Sequence, residues 1–251
     1  MKNKLFVLFF FVSIISFTFS LQGAYAQDFA IPTFDFVKPA DTPAEVTFTL
    51  QLFILFTVLS FAPAIFLLTT SFARIIIVLS FLKKAAGLQD IPGQLVAGLA
   101  LFVTAMVMMP VWSEINENAL QPYLDKTITQ EEAIERSAKP LSTFMLRQTR
   151  EKDIALFVHF AKIEKPSSAE KVPFYILAPA FVISEMKTAF IYGFLIYIPF
   201  LIVDLVVASI LLAMGMMVLP PITISASFKI ILFILVDGWY LVLRSLVGSF
   251  N

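Results

Sequence analysis

Six ionisable side chains stand inside long apolar stretches of this chain: Arg74, Glu185, Lys187, Asp204, Lys229 and Asp237. At the centre of a bilayer each costs about 2.5–3.5 kcal/mol, even on the lenient insertion scale. Glu185, Lys187 and Asp204 share one block, so their joint cost facing lipid would reach ~8–10 kcal/mol, the size of a typical protein's whole stability. Such groups must face protein or water. Glu185 and Lys187 are two positions apart, which on a helix points them to different sides, so neither neutralises the other. A chain with few apolar helices has little interior in which to hide so many charges. The economical expectation is intersubunit charge pairing in an oligomer. Pairing inside the chain, for instance Glu185 with Lys229, is the alternative.

No enzyme signature accompanies these charges. Cysteine is absent, which excludes disulfides and thiolate metal sites. His159 is the single histidine, too little for a zinc cluster or a Ser-His-Asp set, and no Gly-rich phosphate loop occurs. No catalytic residue, metal or cofactor is expected. Asp204 and Asp237 could in principle form the aspartate pair of an intramembrane protease, but no catalytic motif surrounds either. Glu185 and Asp204 could mark a proton path, yet the inverted repeats of many carriers are not apparent. A formal net charge of +0 argues against nucleic-acid binding. A further feature is apolar: Met214-Gly215-Met216-Met217, just before Pro220-Pro221. Glycine and proline make it a bend, and methionine is deformable. A ring of such side chains would shut a pore by packing and dewetting. As plain methionines at a helix end they would instead face lipid or core.

The apolar runs define the elements that carry these residues. Of 251 residues, 59% are hydrophobic and 14% charged, against roughly 25% charged in soluble domains. Lipid or protein must therefore cover much of the surface. Lys2, Lys4, the apolar stretch Leu5–Leu21 and Ala24-Tyr25-Ala26 read as a signal peptide, residues 1–26, cleaved after Ala26. An uncleaved first transmembrane helix is the alternative. Residues 27–47, with three prolines, read as an extended periplasmic segment. Residues 48–112 read as a first hydrophobic helical hairpin that turns near Lys83 and Lys84. Residues 113–172, of mixed charge, read as a small periplasmic helical domain. There Thr129 and Glu132 form a capping box, and Pro140 fits the first turn of a further helix.

Residues 173–221 read as a hydrophobic helix broken by Pro179 and Pro199 and ending in the methionine loop. One unbroken helix would run about 70 Å, against ~30 Å of hydrocarbon. Residues 222–251 hold the last hydrophobic helix. With the N-terminus outside, the Lys83-Lys84 turn is cytoplasmic, in line with the positive-inside bias. The fold class expected is an all-α integral membrane protein of the bacterial inner membrane, crossing it several times.

Several stretches resemble the FliP family: SFARIIIVLSF (Ser71–Phe81), FMLRQTRE (Phe144–Glu151), PFYILAPAFVISEMKTAF (Pro173–Phe190), IPFLIVDLVVAS (Ile198–Ser209), MGMMVLPP (Met214–Pro221) and VDGWYLVLRSL (Val236–Leu246). They occur in the family's order over nearly all of the mature chain. The injectisome branch is the nearest relative, but a cleavable leader and a sizeable periplasmic domain look more like the flagellar branch. The resemblance implies a pentamer with FliQ and FliR, beside FlhB and FlhA, in the basal body. It implies kinked helical hairpins packed into an oligomeric cone, the flagellar type III export gate, through which unfolded rod, hook and filament subunits cross. Met216 and Met217 match the family's methionine-rich plug loop, with Met214 beside it. Val218 departs from the family's methionine there, keeping the loop apolar but stiffer. Glu185, Asp204 and Lys229 fall at the family's charged intersubunit positions, and Lys229 is expected to pair with an acid of a neighbouring copy.

Overall fold

The computed structural model describes residues 43–164, 166, 168, 171–216 and 219–250. The leader with Ala24 and Ala26, and Met217 and Val218 of the loop, lie outside the described residues. The described residues form α1 (Pro43–Thr69), α2 (Phe72–Ala85), α3 (Gly93–Ile115), a π turn (Asn116–Leu120), α4 (Gln121–Leu124), α5 (Gln130–Gln148), α6 (Glu151–Phe160), α7 (Phe174–Ala213), α8 (Pro221–Leu235) and α9 (Gly238–Gly248). No strand occurs among them.

The chain divides into two compact units, Met1–Val58 and Leu59–Asn251. In the first, the described residues are the opening turns of α1, with Leu50, Phe53 and Ile54 exposed. Helix begins at Pro43, so the extended segment expected to reach residue 47 gives way sooner. Proline suits the start of a helix because its missing N–H is an orphan there anyway.

In the second unit α2 is the central element. Ile75, Val78, Leu79 and Leu82 are buried against Val96, Ala100 and Val103 of α3, Ala189 and Phe200 of α7, Phe233 of α8 and Leu246 of α9. A smaller cluster joins Met145 of α5 to Leu177 and Phe181 of α7. Helices α5 and α6 of the charged region thus lie along the first half of α7. Its capping box is formed, with Glu132 N–H donating to Thr129 Oγ1 at 3.3 Å and Thr129 N–H to Glu132 Oε2 at 3.2 Å. Pro140 does not open a helix. It lies buried inside α5, where it removes one backbone hydrogen bond.

Among the described residues three helical stretches are long and apolar enough to cross a membrane: Leu50–Thr69, Gly93–Leu124 and Phe174–Ala213. The apolar run from residue 48 to 82, the first arm of the expected hairpin, divides at Thr70–Ser71 into α1 and α2. Conversely, α7, expected to be kinked or broken, is a single unbroken helix. It continues for 40 residues with Pro179 and Pro199 inside it. Each proline deletes one backbone bond, and neighbouring helices support the segment on both sides of each deletion. Gly193 lets α7 approach α2 closely, because a Cβ there would meet Phe81 Cγ at 2.6 Å.

The last hydrophobic segment is also corrected. It is not one helix but two, α8 and α9, bent by 66°. Asp237 takes the left-handed conformation, φ 49°. Gly238 follows it, where a Cβ would lie 2.1 Å from the Phe233 ring. Only glycine lets that ring fill the corner.

Candidate functional site

Two charge pairs are strung along α7, one in each half. The first joins Glu185 to Arg74 of α2. Arg74 is 2% exposed and Glu185 0%. Arg74 Nε donates to Glu185 Oε2 at 3.0 Å, and Nη2 donates to Oε1, the bidentate fork that suits guanidinium and carboxylate. Nη2 also reaches Gln148 Oε1 at 2.9 Å. Nη1 reaches the Ser249 carbonyl at 3.0 Å and Ser249 Oγ at 2.9 Å. The Phe250 ring covers the guanidinium, 4.0 Å from Cζ, a cation–π contact.

The residue before Glu185 extends this network. Ser184 Oγ donates to Asp153 Oδ2 at 2.6 Å and accepts from Arg150 N–H at 3.0 Å. Arg150 Nε lies 3.0 Å from Asp153 Oδ2. Two neighbouring positions of α7 therefore fasten α2, the α5–α6 junction and the segment after α9.

The second pair lies in the other half of α7. Lys229 Nζ of α8 donates to Asp204 Oδ2 at 2.6 Å, and Ser225 Oγ donates to Oδ1 at 2.5 Å. Both Asp204 oxygens are thus engaged, neither by Asp237, which removes the geometry of an aspartate catalytic pair. The Asp204 side chain keeps 25% of its exposure, against 0% for Glu185. One pair is sealed and the other opens at one side.

Four of the six sequence-flagged charges thus have a partner inside the chain. The internal pairing suggested by sequence, Glu185 with Lys229, is not the one formed. Lys187 is exposed on α7 beside Lys152. Asp237 is exposed at the α8–α9 corner and caps no helix with its side chain. His159 is an exposed residue in the last turn of α6.

The loop after α7 begins as a Schellman turn. Gly215 N–H donates to the Leu212 carbonyl and Met216 N–H to that of Leu211, each at 3.0 Å. Gly215 has φ +73°, a conformation that favours glycine. Met214 is 67% exposed and Met216 40%. The bend inferred from sequence is present, and its described methionines project outward.

Sequence reasoning missed Gln148, Ser184, Ser225, Ser249 and Phe250. None is ionisable or part of a chemical motif, so none stood out. Gln148 and Ser184 do fall within the stretches FMLRQTRE and PFYILAPAFVISEMKTAF, which was the available signal.

Comparison with known proteins bears on this arrangement. The profile of the FliP family matches residues 55–246. "Flagellar biosynthetic protein FliP" of Bacillus subtilis is 52% identical over 209 residues, 83% of this chain and 95% of that protein. The protein of the same name from Borreliella burgdorferi is 42% identical over 251 residues, 98% of this chain and 97% of its own. That from Treponema pallidum is 43% identical over 224 residues, 88% and 83% respectively.

Proposed function

The chain belongs to the FliP family, and on that premise we propose that it is a core subunit of the flagellar type III protein-export gate. Several copies, five by likeness to the family, surround a passage through the bacterial inner membrane. They stand with FliQ and FliR and beside FlhB and FlhA, and unfolded flagellar subunits pass between them. The region 113–172 faces the periplasm.

The observation that carries this reading is the length and exposure of α7. Its 40 residues extend about 60 Å, twice the ~30 Å of hydrocarbon. Apolar side chains remain exposed along it, from Tyr175 through Phe194 and Leu195 to Leu212. Lipid covers half of such a helix, and neighbouring protein must cover the rest. Lys187 and Asp237, which stay exposed, are the charges left for pairing between copies. The Asp204–Lys229 pair, open at one side, adds a second contact. Met214, Met216 and Met217 close the passage at rest.

The deciding measurement is the mass and symmetry of the particle purified from membranes with FliQ and FliR. Several copies about one axis are expected; a clean monomer overturns the reading. Replacing Met214, Met216 and Met217 together with alanine should make the assembled gate leak ions. An ion-tight variant would leave a scaffold without a plug.

A further inference from the structure

Glu185 alone does not satisfy Arg74. The guanidinium uses all five of its N–H donors within the chain, and Glu185 takes two of them. The other three go to Gln148, the last residue of α5, and to Ser249, which caps the C-terminal end of α9. A cation at that helix end also meets the negative pole of the helix dipole. Phe250 closes the remaining face, and its carbonyl accepts from Gln148 Nε2 at 3.2 Å. The acceptors therefore come from places 74, 111 and 175 positions beyond Arg74. During synthesis α2 exists long before its arginine can be fully coordinated. Until residues 249 and 250 arrive, a buried cation keeps unmet donors, which a low-dielectric interior penalises.

We propose that Gln148, Ser249 and Phe250 are positioning residues forming a late-docking latch. The Arg74–Glu185 pair is locked only when the segment after α9 docks on α2. Lys187 stands exposed two positions along α7 from Glu185, so locking this pair also fixes a charge left for association between copies. This last step rests on the gate reading; the docking itself does not.

The protein has no cysteine, so Ser71→Cys introduces a single thiol one turn before Arg74. Ser71 is 0% exposed, and its Oγ has no hydrogen-bond partner, so the exchange breaks no bond. The full chain carrying it, in detergent, is reacted with a water-soluble maleimide. Slow labelling is expected, because the thiol reacts only on local opening. Phe250→Ala, Ser249→Ala and Gln148→Leu should each speed it on the order of 10-fold, since labelling follows the open fraction. Phe250→Tyr should keep it slow. In an Arg74→Leu/Glu185→Leu background Phe250→Ala should change the rate less than about twofold, as a coupled pair requires.

Equal labelling with and without Phe250 overturns the latch. An equal acceleration in the charge-free background also overturns it, by making Phe250 ordinary packing. If Phe250→Ala opens the site yet the variant assembles like the parent, the link to association falls. If the parent itself is monomeric, the gate reading fails while the labelling result stands.

Discussion

The two halves of α7 carry the same chemistry in different settings. In the first, Glu185 and Arg74 are sealed among four segments, and every guanidinium donor has an acceptor. In the second, Asp204 and Lys229 join only α7 and α8, and the carboxylate stays a quarter exposed. A sealed pair has a single stable arrangement, because its rupture leaves a bare charge in a dry interior. A pair with water at one side can part and re-form at smaller cost. The first half of α7 therefore acts as an anchor. The second half, whose carboxylate keeps water at one side, holds the pair that parts more easily.

Breaking the anchor should have the largest effect. Glu185→Leu strands Arg74 and should cost about 3–5 kcal/mol, read as a lowered unfolding midpoint of the detergent-solubilised protein. Adding Arg74→Leu should recover much of it. A small single-mutant loss would mean the two halves do not differ as described. Lys229→Met tests the other half. Because Asp204 can turn to water, the expected loss is about 1–2 kcal/mol, and the parent pair should weaken with added salt while the anchor does not. Equal losses at the two sites would erase the contrast. Thr129→Ala removes the capping box of α5, far in sequence from either pair. It should cost about 1 kcal/mol and leave both salt responses unchanged. A larger loss would tie the start of α5 to the anchor.

How much of this was legible in the sequence depends on range. The α5 capping box was read directly, because its partners are three residues apart and local chemistry suffices. The glycine bend after α7 was legible for the same reason. Arg74, Glu185, Asp204 and Lys229 were identified as groups in need of shelter while Lys187 and Asp237 stay exposed, and the partners were not read, since nothing in a linear pattern joins positions 111 apart. Gln148 and Ser249 were invisible as uncharged residues whose importance exists only in the folded contact. The continuity of α7 through two prolines was misread because proline's local penalty was weighed without the support of adjoining helices. The corner between α8 and α9 had a signal that went unused: Asp237-Gly238 is a turn dipeptide.

The 66° corner has a mechanical consequence. It turns α9 so that residue 249 meets residue 74, and the chain forms a loop whose ends touch. Tension applied through Phe250 would therefore load the bonds from Arg74 to Ser249 and from Gln148 to Phe250, passing traction directly to α2 and α5.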